Sequence, residues 1–159
     1  MRSILLTLAG ACACLFLLVP VTQAQVIYVD AGATSGAGDG NSWADAHTTL
    51  QDALDEATGS DEIWIAEGIY YPDEGTSVTD DDRTAGFTVT GNQDGLAIYG
   101  GFAGDESARE QRDPDANETI LSGDIDGDGT LAGNSYHVLV FNALNAIGLF
   151  FFSSRRRHT

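Results

Sequence analysis

Residues Glu62–Tyr71 read EIWIAEGIYY, an apolar segment that turns once at an internal glycine. Its β-branched and aromatic residues predict β-strands on both sides of the turn. Successive side chains of a strand point to opposite faces, so Ile63 and Ile65 share one face and Trp64 lies on the other. We expect the two isoleucines to point into the protein interior.

Three later segments have the same character, and each is closed by glycine or a turn: Leu96–Phe102 (LAIYGGF), Thr119–Gly123 (TILSG) and Tyr136–Phe141 (YHVLVF). The central residues of the four segments are Ile65, Ile98, Ile120 and Val138. They recur after 33, 22 and 18 positions. A repeat of roughly 20 residues or more is typical of stacked-coil architectures, so the spacing predicts a β-solenoid.

A strand and one amphipathic helix precede these segments. Val26–Asp30 (VIYVD) has strand composition, and Ser42 is a candidate N-cap for a helix that stops at Gly59. The apolar stripe of that helix is formed by Leu50, Ala53, Leu54 and Ala57. We expect residues 25–59 to cap the open end of the solenoid, because uncovered strand edges promote aggregation. Residues 60–149 would form its first coils.

The segment Asp73–Thr84 (DEGTSVTDDDRT) interrupts this pattern. It is polar and acidic and has no apolar period, which is typical of a loop. We therefore expect an exposed excursion inserted in the first coil, and this insertion accounts for the long first interval.

Residues 1–24 have the pattern of a secretory signal peptide. Arg2 is followed by an apolar run that includes Leu15–Val19, and small residues precede the expected cleavage site after Ala24. A membrane anchor is the alternative, but the apolar run is short for a hydrocarbon layer of about 30 Å. Cleavage would remove Cys12 and Cys14, so the mature chain would have no disulfide.

The last ten residues, Phe150–Thr159, read FFFSSRRRHT. Their codons can be written as a thymine run joined to a sequencing primer, so residues 150–159 are predicted to be a sequencing artefact. The alternative is a sorting signal or a membrane-surface patch, because the segment is apolar and then basic. With the artefact removed, we expect the chain to be a fragment whose coils continue beyond Val140.

The charge of the chain is almost purely acidic. All 24 aspartates and glutamates lie in residues 25–149, together with only three arginines and no lysine. Such a field repels the phosphates of nucleic acids and anionic membrane surfaces, which excludes both as partners. Divalent cations are the natural partners. The alternative is a solvated acidic surface that keeps the protein soluble.

The order of motifs resembles a known family. VIYVDAGATSGAGDGNSW near the start is followed by EIWIAEGIYYP, LAIYGGFAGDESARE, NETILSGDIDGDG and NSYHVLV. This succession resembles the N-terminal part of secreted bacterial right-handed parallel β-helix proteins with the pectin-lyase-like fold, of the polymorphic outer-membrane and pectate-lyase-like type. The resemblance implies an all-β fold with a small capping helix, namely the N-terminal fragment of a right-handed parallel β-helix (solenoid).

The same resemblance implies a secreted or cell-surface bacterial protein, extracellular or associated with the outer membrane. Its role would be adhesive or carbohydrate-contacting, with extracellular carbohydrate or cell-surface components as partners and no transmembrane span in the mature chain. The alternative is a polysaccharide lyase or hydrolase of this fold, with its catalytic coils beyond the truncation. Fold alone does not decide between these activities.

No catalytic residue is predicted in this chain. Lyases of the family use an arginine or lysine on a coil face, and Arg83, Arg109 and Arg112 have no such strand position. We expect Arg109 and Arg112 to be surface ion-pair partners of their acidic neighbours, among them Glu106 and Glu110.

One segment predicts a metal site: Asp124, Asp126 and Asp128 in DIDGDG. Carboxylates at alternate positions followed by glycine match the first half of an EF-hand calcium loop, but the twelfth position is Ser135 and not glutamate. Three carboxylates within about 4 Å repel by roughly 4 kcal/mol per pair at an effective dielectric of 20, so a tight loop needs a cation. The segment is therefore a candidate calcium site, and no other cofactor is expected. The alternative is an acidic, glycine-rich turn between coils that needs no cation, since the ligand set is incomplete.

Overall fold

The structure is a computed structural model, and it describes residues 24–142. The predicted signal peptide, apart from its last residue, and the predicted artefact at 150–159 lie outside the described residues. Within residues 24–142, no helix combines the length and the apolar character that crossing a membrane requires.

The described chain contains seven short strands, one α-helix and three 3-10 turns. The helix α1 spans Leu50–Glu56. The strands are β1 (Val26–Val29), β2 (Glu62–Ala66), β3 (Gly68–Tyr70), β4 (Phe87–Val89), β5 (Ala97–Phe102), β6 (Thr119–Leu121) and β7 (Leu139–Phe141). The 3-10 turns are Trp43–Asp45, Gly91–Gln93 and Arg109–Gln111.

The strands form three separate parallel sheets. One has the order β1-β2-β5, and the other two are the pairs β3-β6 and β4-β7. Ile63 of β2 lies between Ile27 and Ile98 in the first sheet. Ile69 pairs with Ile120 in the second sheet, and Phe87 pairs with Leu139 in the third.

The predicted right-handed parallel β-helix (solenoid) is wrong. The first of its four segments pairs with the second through β2 and β5, but its other strand, β3, and the fourth segment lie in two separate sheets. The strand that begins at Thr119 pairs with β3, and the strand that begins at Leu139 pairs with β4. The described fold is therefore a set of short strands in separate two- and three-stranded sheets with one helix. Apolar recurrence indicates which segments are buried, whereas strand partners depend on the path of the chain between them.

The core lies on one face of the β1-β2-β5 sheet, against α1 and β4. Ile63 and Ile65 are completely buried, which confirms their predicted direction. The predicted apolar stripe of the helix is also buried. Trp64 lies on the opposite face, where it is 5% exposed because its ring stacks on Phe102 at a centroid distance of 4.8 Å.

The helix begins later than the sequence predicts. Thr49, and not Ser42, is the N-cap of α1, and its hydroxyl accepts a hydrogen bond from the backbone N–H of Asp52. Ser42 caps the separate 3-10 turn at Trp43–Asp45. Between the two caps, His47 forms an isolated parallel bridge with Val29, which holds the chain extended and delays the helix.

The acidic excursion is docked on α1. Asp52 accepts hydrogen bonds from the backbone N–H and the hydroxyl of Thr76, at 2.8 and 2.7 Å. Ser77 donates to Asp55. The expectation of an exposed excursion holds for most of the segment but is wrong at its first residue, since Asp73 is 5% exposed.

Candidate metal centre

The predicted metal residues lie in the connection between β6 and β7. The backbone turns back on itself there, with the N–H of Gly127 donating to the carbonyl of Asp124 at 3.2 Å. Gly127 and Gly129 have φ angles of 66° and 71°, in the left-handed region that favours glycine. The two glycines of DIDGDG therefore allow the tight bend that a ligand loop requires.

The bend brings the three predicted ligands together. Asp124, Asp126 and Asp128 each offer a carboxylate oxygen, and these oxygens lie within 4.8 Å of one another. Asp126 and Asp128 are exposed and Asp124 is half-buried, so water screens part of their mutual repulsion.

Backbone donors orient the three carboxylates. The N–H of Gly129 donates to Oδ2 of Asp124 at 3.1 Å, and the N–H of Thr130 donates to Oδ1 of Asp128 at 2.6 Å. The contact of Asp126 with the N–H of Asp128 is longer, at 3.5 Å. These bonds hold the side chains toward one another but leave oxygens available to a cation.

Two oxygens at this loop are buried and have no hydrogen-bond partner among the described residues: Oδ1 of Asp124 and Oδ1 of Asn134. A buried acceptor without a donor costs about 1–3 kcal/mol, and more when it is charged. One oxygen of the carboxylate group, Oδ1 of Asp124, is therefore buried without a donor and is available to a cation.

Asn134 is a site residue that the sequence reasoning missed. The following residue, Ser135, donates its backbone N–H to the carbonyl of Gly123 at 2.8 Å, next to Asp124. On the other side, a Cβ added to Gly133 would lie 2.0 Å from Oδ2 of Asp126. Its two neighbours thus place the backbone of Asn134 beside the loop. No local motif indicates this, because it depends on how the loop closes.

Arg83 fixes the same segment from the acidic excursion. Its Nε donates to the carbonyl of Asn134 at 2.8 Å, and its guanidinium lies 4.6 Å from the ring centroid of Tyr136. This bond holds the backbone of Asn134 and does not involve its side-chain amide oxygen.

Ser135 does not act as the twelfth ligand of an EF-hand. Its hydroxyl lies 2.6 Å from the carbonyl of Ala85 and 3.0 Å from that of His137. The group found at the loop is instead three carboxylates. Oxygen ligands of this kind fit calcium, which accepts six to eight oxygens in flexible geometry.

The other two arginines have structural contacts. Arg109 forms the expected ion pair with its neighbour Glu110, at 3.5 Å. It also forms a shorter ion pair, at 2.9 Å, with Glu62 of β2. Arg112 donates to the carbonyl of Gly100 at 3.0 Å.

Glu106, one of the expected partners of these arginines, caps the backbone instead. Its carboxylate accepts from the N–H groups of Ala103 and Gly104, at 2.7 and 3.1 Å. Burial would raise the pKa of Glu106, but these bonds hold it below its usual value.

Negative charge is also crowded in the acidic excursion. Burial raises the pKa of Glu74, and the charges of Asp73 and Asp80 raise it further. Three or more histidine, cysteine, aspartate or glutamate side chains that lie close together can hold a metal ion. Within residues 24–142, however, Asp124, Asp126 and Asp128 are the only such group.

Comparison of the chain with protein-family models, with curated proteins and with solved structures found no match in any of the three.

Proposed function

We propose that this chain is a secreted protein that binds calcium through Asp124, Asp126 and Asp128, with Asn134 as a neutral fourth ligand. The observation that carries the proposal is the group of three carboxylates, with one oxygen from each within 4.8 Å of the others, together with the buried, unpartnered Oδ1 of Asp124. Secretion is supported by the leader pattern at residues 1–24.

The chemistry of the ligands favours calcium over other common metals. Structural zinc sites in proteins are built from cysteine and histidine, and the ligands here are all oxygens. Magnesium demands near-ideal octahedral geometry and retains several waters, whereas a glycine-containing loop with one amide ligand suits the larger and more adaptable calcium ion. Extracellular modules bind calcium with dissociation constants of about 10⁻⁴ to 10⁻³ M, and we expect an affinity in this range.

The role of the ion would be structural. The loop connects β6 to β7, and Asn134 is bonded through its carbonyl to Arg83. Neutralising the three carboxylates would hold this connection closed and support the pairing of β7 with β4.

Isothermal titration calorimetry with calcium chloride tests the proposal. The chain should bind calcium, and Asp126→Asn should weaken binding by about tenfold or more, because it removes a charged ligand. Asp115→Asn is the matched control, since it makes the same charge change at an exposed position away from the loop. No heat above dilution, or equal weakening by both substitutions, would contradict the proposal.

The adhesive or carbohydrate-contacting role stays a prediction. Carbohydrate contact commonly uses open aromatic surfaces, and the cross-strand row of Tyr28, Trp64 and Tyr99 supplies aromatic rings on the outer face of the first sheet. Trp64 is nearly buried, and Arg109 lies 5.0 Å above the ring of Tyr99, so this face is largely covered. The lyase or hydrolase alternative also stays a prediction, and no described residue carries it.

A further inference from the structure

A buried carboxylate lies beside the predicted start of the mature chain. Asp61, the residue before β2, is 8% exposed, and its Oδ1 accepts the backbone N–H of Gln25 at 3.0 Å. The N–H of Glu62 donates to the carbonyl of Gln25 at 2.8 Å. Both backbone groups of Gln25 are therefore bonded to the start of β2, which holds its nitrogen against the carboxylate.

This carboxylate has neutral donors and no counter-charge. Its Oδ2 accepts the N–H and the hydroxyl of Thr58, at 2.8 and 2.7 Å. Burial raises the pKa of Asp61, but its hydrogen bonds hold the pKa below the ordinary value, so the group is ionised at neutral pH. None of the ion pairs found within residues 24–142 involves Asp61. A buried anion is stabilised more by a charged donor than by a neutral one.

Removal of the predicted leader would supply that charged donor. Hydrolysis of the peptide bond between Ala24 and Gln25 consumes one water. The hydroxyl goes to the carbonyl carbon of Ala24, and the released nitrogen of Gln25 takes up protons and becomes an α-ammonium. This nitrogen already lies 3.0 Å from Oδ1 of Asp61, so the positive charge appears at the carboxylate without a rearrangement of either residue.

We propose that Asp61 is the binding site for the new N-terminus that leader removal creates, and that its ion pair with the α-ammonium of Gln25 stabilises the processed chain. The proposal rests on the proposed secretion, with cleavage after Ala24. It is independent of the calcium site, because no residue is shared. Processing and stability are thereby coupled, since the unprocessed chain has the hydrogen bond but not the ion pair.

The neighbouring segments carry two other acidic groups. Glu62 follows Asp61 directly, and its carboxylate is ion-paired with Arg109 at 2.9 Å. Asp94 precedes β5, whose first residue, Ala97, donates its N–H to the carbonyl of Asp61 at 3.0 Å. Neither acidic group can supply a counter-charge to Asp61, and both favour a positive N-terminus nearby.

Acetylation of the N-terminus tests the charge alone. The chain has no lysine, so the α-amine is the only primary amine, and an acetylated N-terminus keeps one N–H for Asp61 but loses the positive charge. An N-terminal glutamine can cyclise with loss of ammonia, so the test uses the mature chain, residues 25–159, with the exposed Gln25 changed as Gln25→Ala. We expect acetylation to lower the thermal midpoint by a few degrees at neutral pH. With Asp61→Asn added, acetylation should change the midpoint much less.

The effect of acetylation should follow the titration of the amine. The carboxylate raises the pKa of the ammonium in the folded chain. The stability that the ion pair contributes is therefore complete below the unfolded value of about 8 and is lost as the pH rises through the folded value. The free and acetylated chains should differ at neutral pH and converge at alkaline pH.

A chain that retains Ala24 is a second control, and it needs no change at Asp61. Its amine is displaced by one residue, so its midpoint should match that of the acetylated chain. Equal midpoints of the free and acetylated chains at neutral pH would overturn the proposal. So would an equal loss on acetylation with Asp61→Asn added, because the charge would then act elsewhere.

Mass spectrometry checks the cleavage step separately. When all 159 residues are expressed in a secreting bacterium, the exported chain should begin at Gln25. Export of a chain with another first residue would overturn the coupling between processing and stability. Failure of the calcium site appears only in the calcium titration and leaves these midpoints unchanged.

Discussion

Thr119 is a buried hydroxyl that joins the first and second sheets. Its Oγ1 accepts the backbone N–H of Gly101 at 3.0 Å and lies 3.2 Å from the carbonyl of Ala66, to which it donates. Gly100 makes this approach possible, since a Cβ there would lie 2.8 Å from Cβ of Thr119. One side chain thus satisfies two backbone groups that strand pairing leaves open.

Replacing Thr119 with valine should destabilise the fold. The substitution keeps the shape but leaves a buried N–H and a buried carbonyl without a partner, so we expect the free energy of unfolding to fall by about 1–3 kcal/mol. Urea denaturation measures this change. Thr79→Val, at an exposed position, is the control and should stay within about 0.5 kcal/mol of the parent. Equal effects of the two substitutions would show that the hydroxyl is not needed.

At the scale of elements, Asp61 ties the start of β2 to the chain before β1. Its Oδ1 accepts the N–H of Gln25 at 3.0 Å, and its Oδ2 accepts the N–H and the hydroxyl of Thr58 at 2.8 and 2.7 Å. Burial would raise the pKa of Asp61, but these three bonds lower it below its ordinary value of 3.8. If the leader is removed after Ala24, the α-ammonium of Gln25 would make the first bond.

The stability of this link should depend on pH. A carboxyl whose pKa is lower in the folded than in the unfolded state contributes stability that is complete above the unfolded value and is lost as the pH falls through the folded value. We therefore expect Asp61→Asn to be less stable than the parent at neutral pH, and the difference to shrink below about pH 4. Urea denaturation from neutral to acidic pH measures this difference. A gap that stays constant over the range would contradict the assignment.

At the scale of the whole molecule, an apolar edge stands out against the acidic surface. Ile69 and Ile120 face each other across the two-stranded sheet β3-β6, and they are 46% and 36% exposed. Neither strand has a second strand partner among residues 24–142. Exposed edges of this kind are templates for pairing with another chain.

Self-association through this edge should respond to a single charge. Ile69→Lys should lower concentration-dependent association in sedimentation velocity, because a lysine on an edge strand opposes strand addition. Leu131→Lys is the matched control. Leu131 is 88% exposed but lies in a loop, so this substitution adds the same charge away from the edge. Association that falls equally in both variants would point to net charge and not to the edge.

The local composition of the sequence was sufficient to predict much of the secondary structure. The β-branched and aromatic runs around Ile27, Ile63 and Ile98 identified three strands of the first sheet, and alternation identified the buried face of β2. The helix boundary was not predictable, because the bridge between Val29 and His47 that delays the helix is a long-range contact.

The sequence by itself determined the acidic character of the chain and the grouping of Asp124, Asp126 and Asp128, because their spacing and their glycines act within one turn of backbone. Only the tertiary structure decided which strands pair and that Asn134 and Asp73 have buried, unpartnered oxygens. The physical reason is the range of the interactions. Strand propensity and a tight turn are properties of a few consecutive residues, whereas pairing and burial depend on which distant segments fold back against them.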